Sequence, residues 1–168
     1  MIKLILRNIW RFAILVILQV ILFNNIQFSG YINPYFYIIF ILLLPFETPK
    51  WILMLSSFLL GLSIDIFSNT IGMHASACVF IAFLRPHILQ YIAPREGYEA
   101  SSLPRIHYYG FSWFLKYSTI LILAHHIFLF YIEVYTFSGF FYTLSRALLS
   151  SIFTIILIVF SQYIVYRK

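Results

Sequence analysis

The sequence predicts an all-α integral membrane protein, a bundle of about six transmembrane helices with both termini cytoplasmic, and three observations predict it. The chain is 62% hydrophobic, 21% aromatic and only 10% charged, whereas soluble proteins average roughly 45–50% apolar and about 25% charged. A soluble domain could not hide that much apolar surface. A membrane-crossing helix takes about 20 mostly apolar residues, so a chain of 168 residues has room for about six and little else. The basic residues, finally, fall on one side of the segments so drawn.

Those segments are 9–28, 31–46, 51–67, 70–91, 111–132 and 140–166. The first follows a basic start and resembles a signal peptide, but its apolar stretch is too long and ends in Asn24 and Asn25 without a small-residue cleavage site. It reads as a retained helix. In the second, Pro34 suits a first helical turn and Pro45 an end, leaving a stretch short of a full span unless it tilts little or lies where the bilayer is thin. The third follows the turn ETPK, and Thr70 in the link SNT is a candidate N-cap for the fourth. Links this brief make the first four helices neighbours. The one long connection, 92–110, is broken by Pro94 and Pro104, collects much of the soluble charge, and has room for a short interfacial helix. Residues 1–168 read as a single transmembrane domain.

With the N-terminus inside, Lys3, Arg7, Arg11, Lys50, Arg85, Arg95, Arg105, Lys116, Arg167 and Lys168 lie on or near the inner side, and the outer links SGYIN, SNT and TFSG carry no basic residue. Arg146, a short way into the last segment from outside, is the exception. Trp10, Trp51, Trp113, Tyr31, Tyr91, Tyr108, Tyr109 and Tyr166 lie near segment ends, where interfacial aromatics anchor. The net charge of +6 is a topology signal, since it is scattered among apolar segments, and it does not point to nucleic acid. Cys78 is the only cysteine, so neither an internal disulfide nor a cysteine metal cluster is available.

Ser57, Gly61 and Asp65 recur every four residues and form one stripe on a helix, whose small members let another backbone approach. Gly72, Ser76, Ala75, Ala77 and Ala82 give the fourth segment a similarly small surface, which predicts a tight hairpin of the third and fourth helices. Asp65, the only aspartate, falls near the outer end of that hairpin. A charge there costs less than the about 2.5–3.5 kcal/mol of mid-bilayer, and a solvated or loop-bonding acid at the outer boundary is the plain reading. A carboxylate near a helix C-terminus is nonetheless disfavoured by roughly 0.3–1 kcal/mol. Candidate partners are Arg146, at matching depth, His74, and the backbone amides that open the fourth helix.

No catalytic set stands out. His125 and His126 point about 100° apart on a helix and cannot clamp one metal from one face, so they read as hydrogen-bonded packing residues. Glu47, Glu96, Glu99 and Glu133 read as solvated. One aspartate excludes an aspartyl dyad. Gly61-Leu62-Ser63-Ile64-Asp65 and Gly110-Phe111-Ser112 both break the Gly-x-Ser-x-Gly pattern. No phosphate-binding glycine loop occurs, and no cofactor is expected.

The run PFETPKWILMLSSFLLGLSIDIFSNTIGMHASACVFIAFLRP, with Gly-Leu-x-x-Asp, a short polar link and Gly-x-His-Ala, resembles the central segment of the bacterial rod shape-determining protein MreD family. NPYFYIIFILLLP resembles that family's entry to its second span, so the likeness is clearest over 33–86. The resemblance implies a non-enzymatic inner-membrane scaffold of the cell-elongation complex. It would bind a membrane-anchored MreC-like protein and, through it, help couple MreB filaments to a SEDS glycosyltransferase and a penicillin-binding transpeptidase. It also implies a fold like the six-helix substrate-binding subunits of energy-coupling-factor transporters, which makes a small-molecule-binding transporter subunit the alternative. Carried over by motif, Gly61, Asp65, Gly72 and His74 are the candidate structural or partner-contacting residues, with Arg146 beside them. No catalytic, metal or cofactor residue is implied.

Overall fold

A computed structural model describes residues 2–26, 31–99, 102–135 and 139–165. The side chain of Lys3, part of the links SGYIN and TFSG, and Tyr166, Arg167 and Lys168 lie outside the described residues. The order of helices is α1 (Ile2–Ile21), α2 (Ile39–Leu42), α3 (Lys50–Ser68), α4 (Met73–Tyr91), α5 (Ile106–Val134) and α6 (Phe140–Val165), with 3₁₀ turns at Phe23–Asn25 and Phe36–Ile38 and no strand among the described residues. Four segments, Leu6–Asn25, Lys50–Ser68, Ile106–Val134 and Phe140–Val165, are long and apolar enough to cross a membrane. The chain is thus an all-α protein with the build of a membrane protein.

The two remaining segments differ from a plain six-span reading, each for a physical reason. α4 spans 19 residues but carries His74, Arg85, Pro86, His87 and Gln90, so it is less apolar than its neighbours. It turns two of its polar members inward, His74 and Arg85, which are buried along with Ala75, Ala77, Cys78, Ile81, Ala82 and Leu89, while His87 and Gln90 are exposed. The segment 31–46 is not one helix. It runs extended to Tyr35, tightens through the 3₁₀ turn, and makes only the single helical turn of α2. Tyr37, Ile38, Ile41 and Leu42 are fully buried. Sequence periodicity could not separate a short buried helix from a threaded core segment of this kind.

Buried non-helical backbone persists only where protein groups satisfy it, and here side chains from distant elements do so. Gln19 of α1, 1% exposed, accepts from the amides of Phe36 and Tyr37 at 2.9 and 3.3 Å and donates to the Pro34 carbonyl at 2.9 Å. From α6, the Ser150 and Thr154 hydroxyls accept from the amides of Asn33 and Tyr35, each at 3.1 Å. At the far end of the segment the Tyr117 hydroxyl donates to the Leu42 carbonyl at 3.0 Å, and Arg85 donates to the Leu44 carbonyl and, through Nε, to the Tyr117 hydroxyl at 2.8 Å. Arg85, buried though it carries a charge, thereby sits at the C-terminal end of the short helical turn, where a cation is favoured.

Around this central strip the helices pack in sequence: α3 against α4 most extensively, α5 against α6, α4 against α5, and α1 against α3. α1 lies on the perimeter, with Leu6, Trp10, Ile17 and Ile21 exposed and Leu15, Val16 and Gln19 turned inward. Gly110, at φ 79° and ψ 166°, separates a first turn at 106–109 from the rest of α5. The connection between α4 and α5 is pinned by aromatics: Phe46 stacks on Tyr98 at 4.3 Å and Trp113 on Tyr117 at 5.2 Å, with the Trp113 indole donating to the Ile92 carbonyl at 3.1 Å. Trp113 is therefore a packing residue, whereas Trp10 and Trp51 are exposed as interfacial anchors would be. At this same end the Arg105 guanidinium is pulled down to about 10, by burial first and then by the positive charges of Arg11 and Arg7.

Candidate functional site

The backbones of α3 and α4 approach closely at Gly61. A Cβ on Gly61 would lie 2.5 Å from the Ala75 Cα and the His74 carbonyl oxygen and 2.6 Å from the Ala75 nitrogen. All three are backbone atoms, so no side-chain rotation relieves them. Gly61 is the residue that lets the hairpin close.

One turn further along, Asp65 uses that proximity. α3 ends on Asn69 in the left-handed conformation, φ 58°. The chain then reverses through Thr70 and Gly72, which holds φ 72° at the start of α4, a conformation glycine adopts without the penalty of a Cβ. Gly72, not Thr70, takes the N-cap position and offers no side chain for it. Asp65 supplies the cap from the neighbouring helix: Oδ1 accepts from the His74 amide at 3.0 Å and Oδ2 from the Ala75 amide at 2.9 Å. The Thr70 hydroxyl donates to Oδ1 at 2.6 Å. The carboxylate, 3% exposed, thus stands at the unfavourable end of α3's dipole but at the favourable end of α4's, with two otherwise orphaned amides bonded to it.

Among the candidate partners of Asp65, the backbone amides are the ones it meets. Arg146 instead pairs with Glu133 at 3.3 Å and stacks its guanidinium 4.4 Å from the centre of the Phe130 ring. Matching depth was a poor guide because depth leaves the angular position around the bundle open, and Arg146 sits on α6 facing α5. Glu133 is correspondingly an ion-pair partner in addition to being partly solvated.

His74 turns its ring to the core. Its Nδ1 lies 2.8 Å from the Tyr37 hydroxyl, which is also 3.0 Å from Nε2 of His125. One hydroxyl donates once, so one of the two rings presents a lone pair to it and the other an N–H. His126 is separate: Nδ1 donates to the Ile122 carbonyl at 2.9 Å, leaving Nε2 to accept from Thr154 at 3.2 Å. His74, His125 and His126 are packing and hydrogen-bonding residues that tie α4, α5 and α6 to the central strip. No group of three or more metal-ligating side chains gathers among the described residues.

Cavities adjoin the hairpin, two of them near its Asp65 end. One, of about 340 Å³, opens at the Asp65 end of the bundle, over Pro34 and Tyr35, and is walled by Gln19, Asn24, Asn33, Thr70, His74, Glu133 and Arg146 among others. The other is a groove of about 680 Å³ on the outside of the hairpin, between Met54, Phe58 and Leu62 of α3 and Ala75, Ser76, Val79 and Phe83 of α4. Gly61, Asp65, Gly72 and His74 therefore form one construction, Arg146 a second beside it. Sequence reasoning passed over Gln19 and Tyr37, although a lone amide inside an apolar segment is a signal that some polar group awaits it. In comparison with known proteins, no family model, no curated protein and no solved structure matches the chain.

Proposed function

We propose that this chain is a non-enzymatic membrane scaffold of the MreD kind, and that it receives the transmembrane helix of an MreC-like partner in the groove outside the α3–α4 hairpin. The observation that carries the reading is that groove, an apolar trough with Gly72, Ala75, Ser76 and Val79 along one wall. Small residues at helical spacing are what let two helices approach closely in lipid, where no hydrophobic drive brings them together. The hairpin beneath is rigid by construction, since Gly61 and Asp65 fix the distance and register of its two helices. In this reading the chain passes the bacterial inner membrane six times, with the strip 31–46 as its second pass and both termini cytoplasmic. The Asp65 end faces outward and the Arg7, Arg11 and Arg105 end inward, in accord with the basic bias. The partner would in turn connect it to MreB filaments and to the SEDS and penicillin-binding synthases.

Ser76→Trp tests the proposal by filling the groove. Co-purification with the MreC-like partner from membranes should fall at least about tenfold, a loss of about 1.4 kcal/mol, while the chain stays monodisperse in detergent. Ile156→Trp, on an exposed face of α6, should leave the complex intact. An undiminished complex with Ser76→Trp would refute the groove as the docking site.

A further inference from the structure

The cavity at the Asp65 end is polar where the groove is apolar, and its groups are unevenly satisfied. Gln19 uses its amide on Asn24, Pro34, Phe36 and Tyr37, and Asn24 donates to Ser68, so these two are structural walls. The Asn33 Oδ1 and the Arg146 Nε, by contrast, are buried atoms with no hydrogen-bond partner. Arg146 reaches only one oxygen of Glu133, Oε1, at 3.3 Å from both terminal nitrogens. The other carboxylate oxygen is left over. The His74 ring, committed to Tyr37 through Nδ1, also lines the cavity.

From this arrangement we infer that the cavity binds a small zwitterionic group carrying a primary ammonium and an oxyanion, as phosphoethanolamine does. The ammonium takes Glu133 and the Asn33 side-chain Oδ1, and the oxyanion takes Arg146. A simple anion on Arg146 would leave the like charge of Glu133 beside it, and a simple cation on Glu133 would leave that of Arg146, in a partly desolvated site. A group with both charges satisfies both side chains and both orphaned atoms. A volume of about 340 Å³ falls within the roughly 300–1,000 Å³ of small-ligand clefts. The same chemistry is offered by a phosphatidylethanolamine headgroup and by a free small zwitterion. The inference does not depend on the docking groove, which lies on the other side of the hairpin.

The test has two arms. In the first, the full chain is placed in nanodiscs of phosphatidylethanolamine, phosphatidylglycerol and phosphatidylcholine in equal parts, and the lipid retained on its release is read by native mass spectrometry. Phosphatidylethanolamine should be enriched at least about tenfold over phosphatidylglycerol, which lacks the ammonium, and over phosphatidylcholine, whose ammonium has no N–H. In the second arm, phosphoethanolamine is titrated into the detergent-purified chain by calorimetry. Enrichment in discs alone assigns the site to the lipid, and heat from the soluble probe assigns it to a free zwitterion. Either supports the inference provided that Glu133→Gln and Arg146→Gln each abolish it while gel filtration shows a folded chain. No preference in the first arm together with no heat in the second, or a preference that survives both substitutions, overturns it.

Discussion

Asp65 and Glu133 stand at the same end of the bundle, near the close of α3 and of α5. Asp65 is 3% exposed and receives three donors, two of them backbone amides, whereas the Glu133 side chain is 38% exposed and meets one arginine through one oxygen. The difference follows from what each acid answers to. Backbone amides at a helix start cannot move away, so a short carboxylate held against them becomes part of the turn that joins α3 to α4. An arginine on a long arm can move, so the Glu133 pair can open toward another charged group. The first acid sets geometry and the second is free to exchange partners.

Three substitutions sharpen that contrast. Gly61→Leu should do the most damage, because it drives α4 away from α3 and removes Asp65 from its amides at once. A destabilisation of about 3 kcal/mol or more, at the upper end for overpacking against backbone, should appear as a large fall in the unfolding midpoint of the purified chain. Asp65→Asn comes next. The side chain keeps its size but turns a donor toward one of the two α4 amides, and the loss of charge-assisted bonds should cost about 1.5–3 kcal/mol, with faster hydrogen exchange at His74 and Ala75 as the local signature. Glu133→Gln should cost under about 1 kcal/mol, as exposed pairs do. A stability loss at Glu133 equal to that at Asp65 would erase the distinction.

The hairpin was legible in the sequence because its determinants are local: the spacing of Ser57, Gly61 and Asp65 and the small residues after Gly72 read directly as a close helix pair. The four strongly apolar segments were legible for the same reason. The course of 31–46 was not, because an apolar run says nothing about whether its own backbone or someone else's side chains will take its hydrogen bonds. Gln19, Ser150, Thr154, Tyr117 and Arg85 do that work, and they come from four other helices. The partner of Arg146 was illegible too, since two acids lie at its level and only the order of helices around the bundle chooses between them.

The central strip has a consequence for the order in which the protein is made. Its Asn33 and Tyr35 amides bond hydroxyls that lie 117 and 119 residues later in the chain. A segment emerging from the ribosome with those amides bare cannot settle alone among lipid tails. It must wait, sheltered by the insertion machinery or by water, until α6 arrives to receive it, so that a helix made much later completes the segment that precedes it.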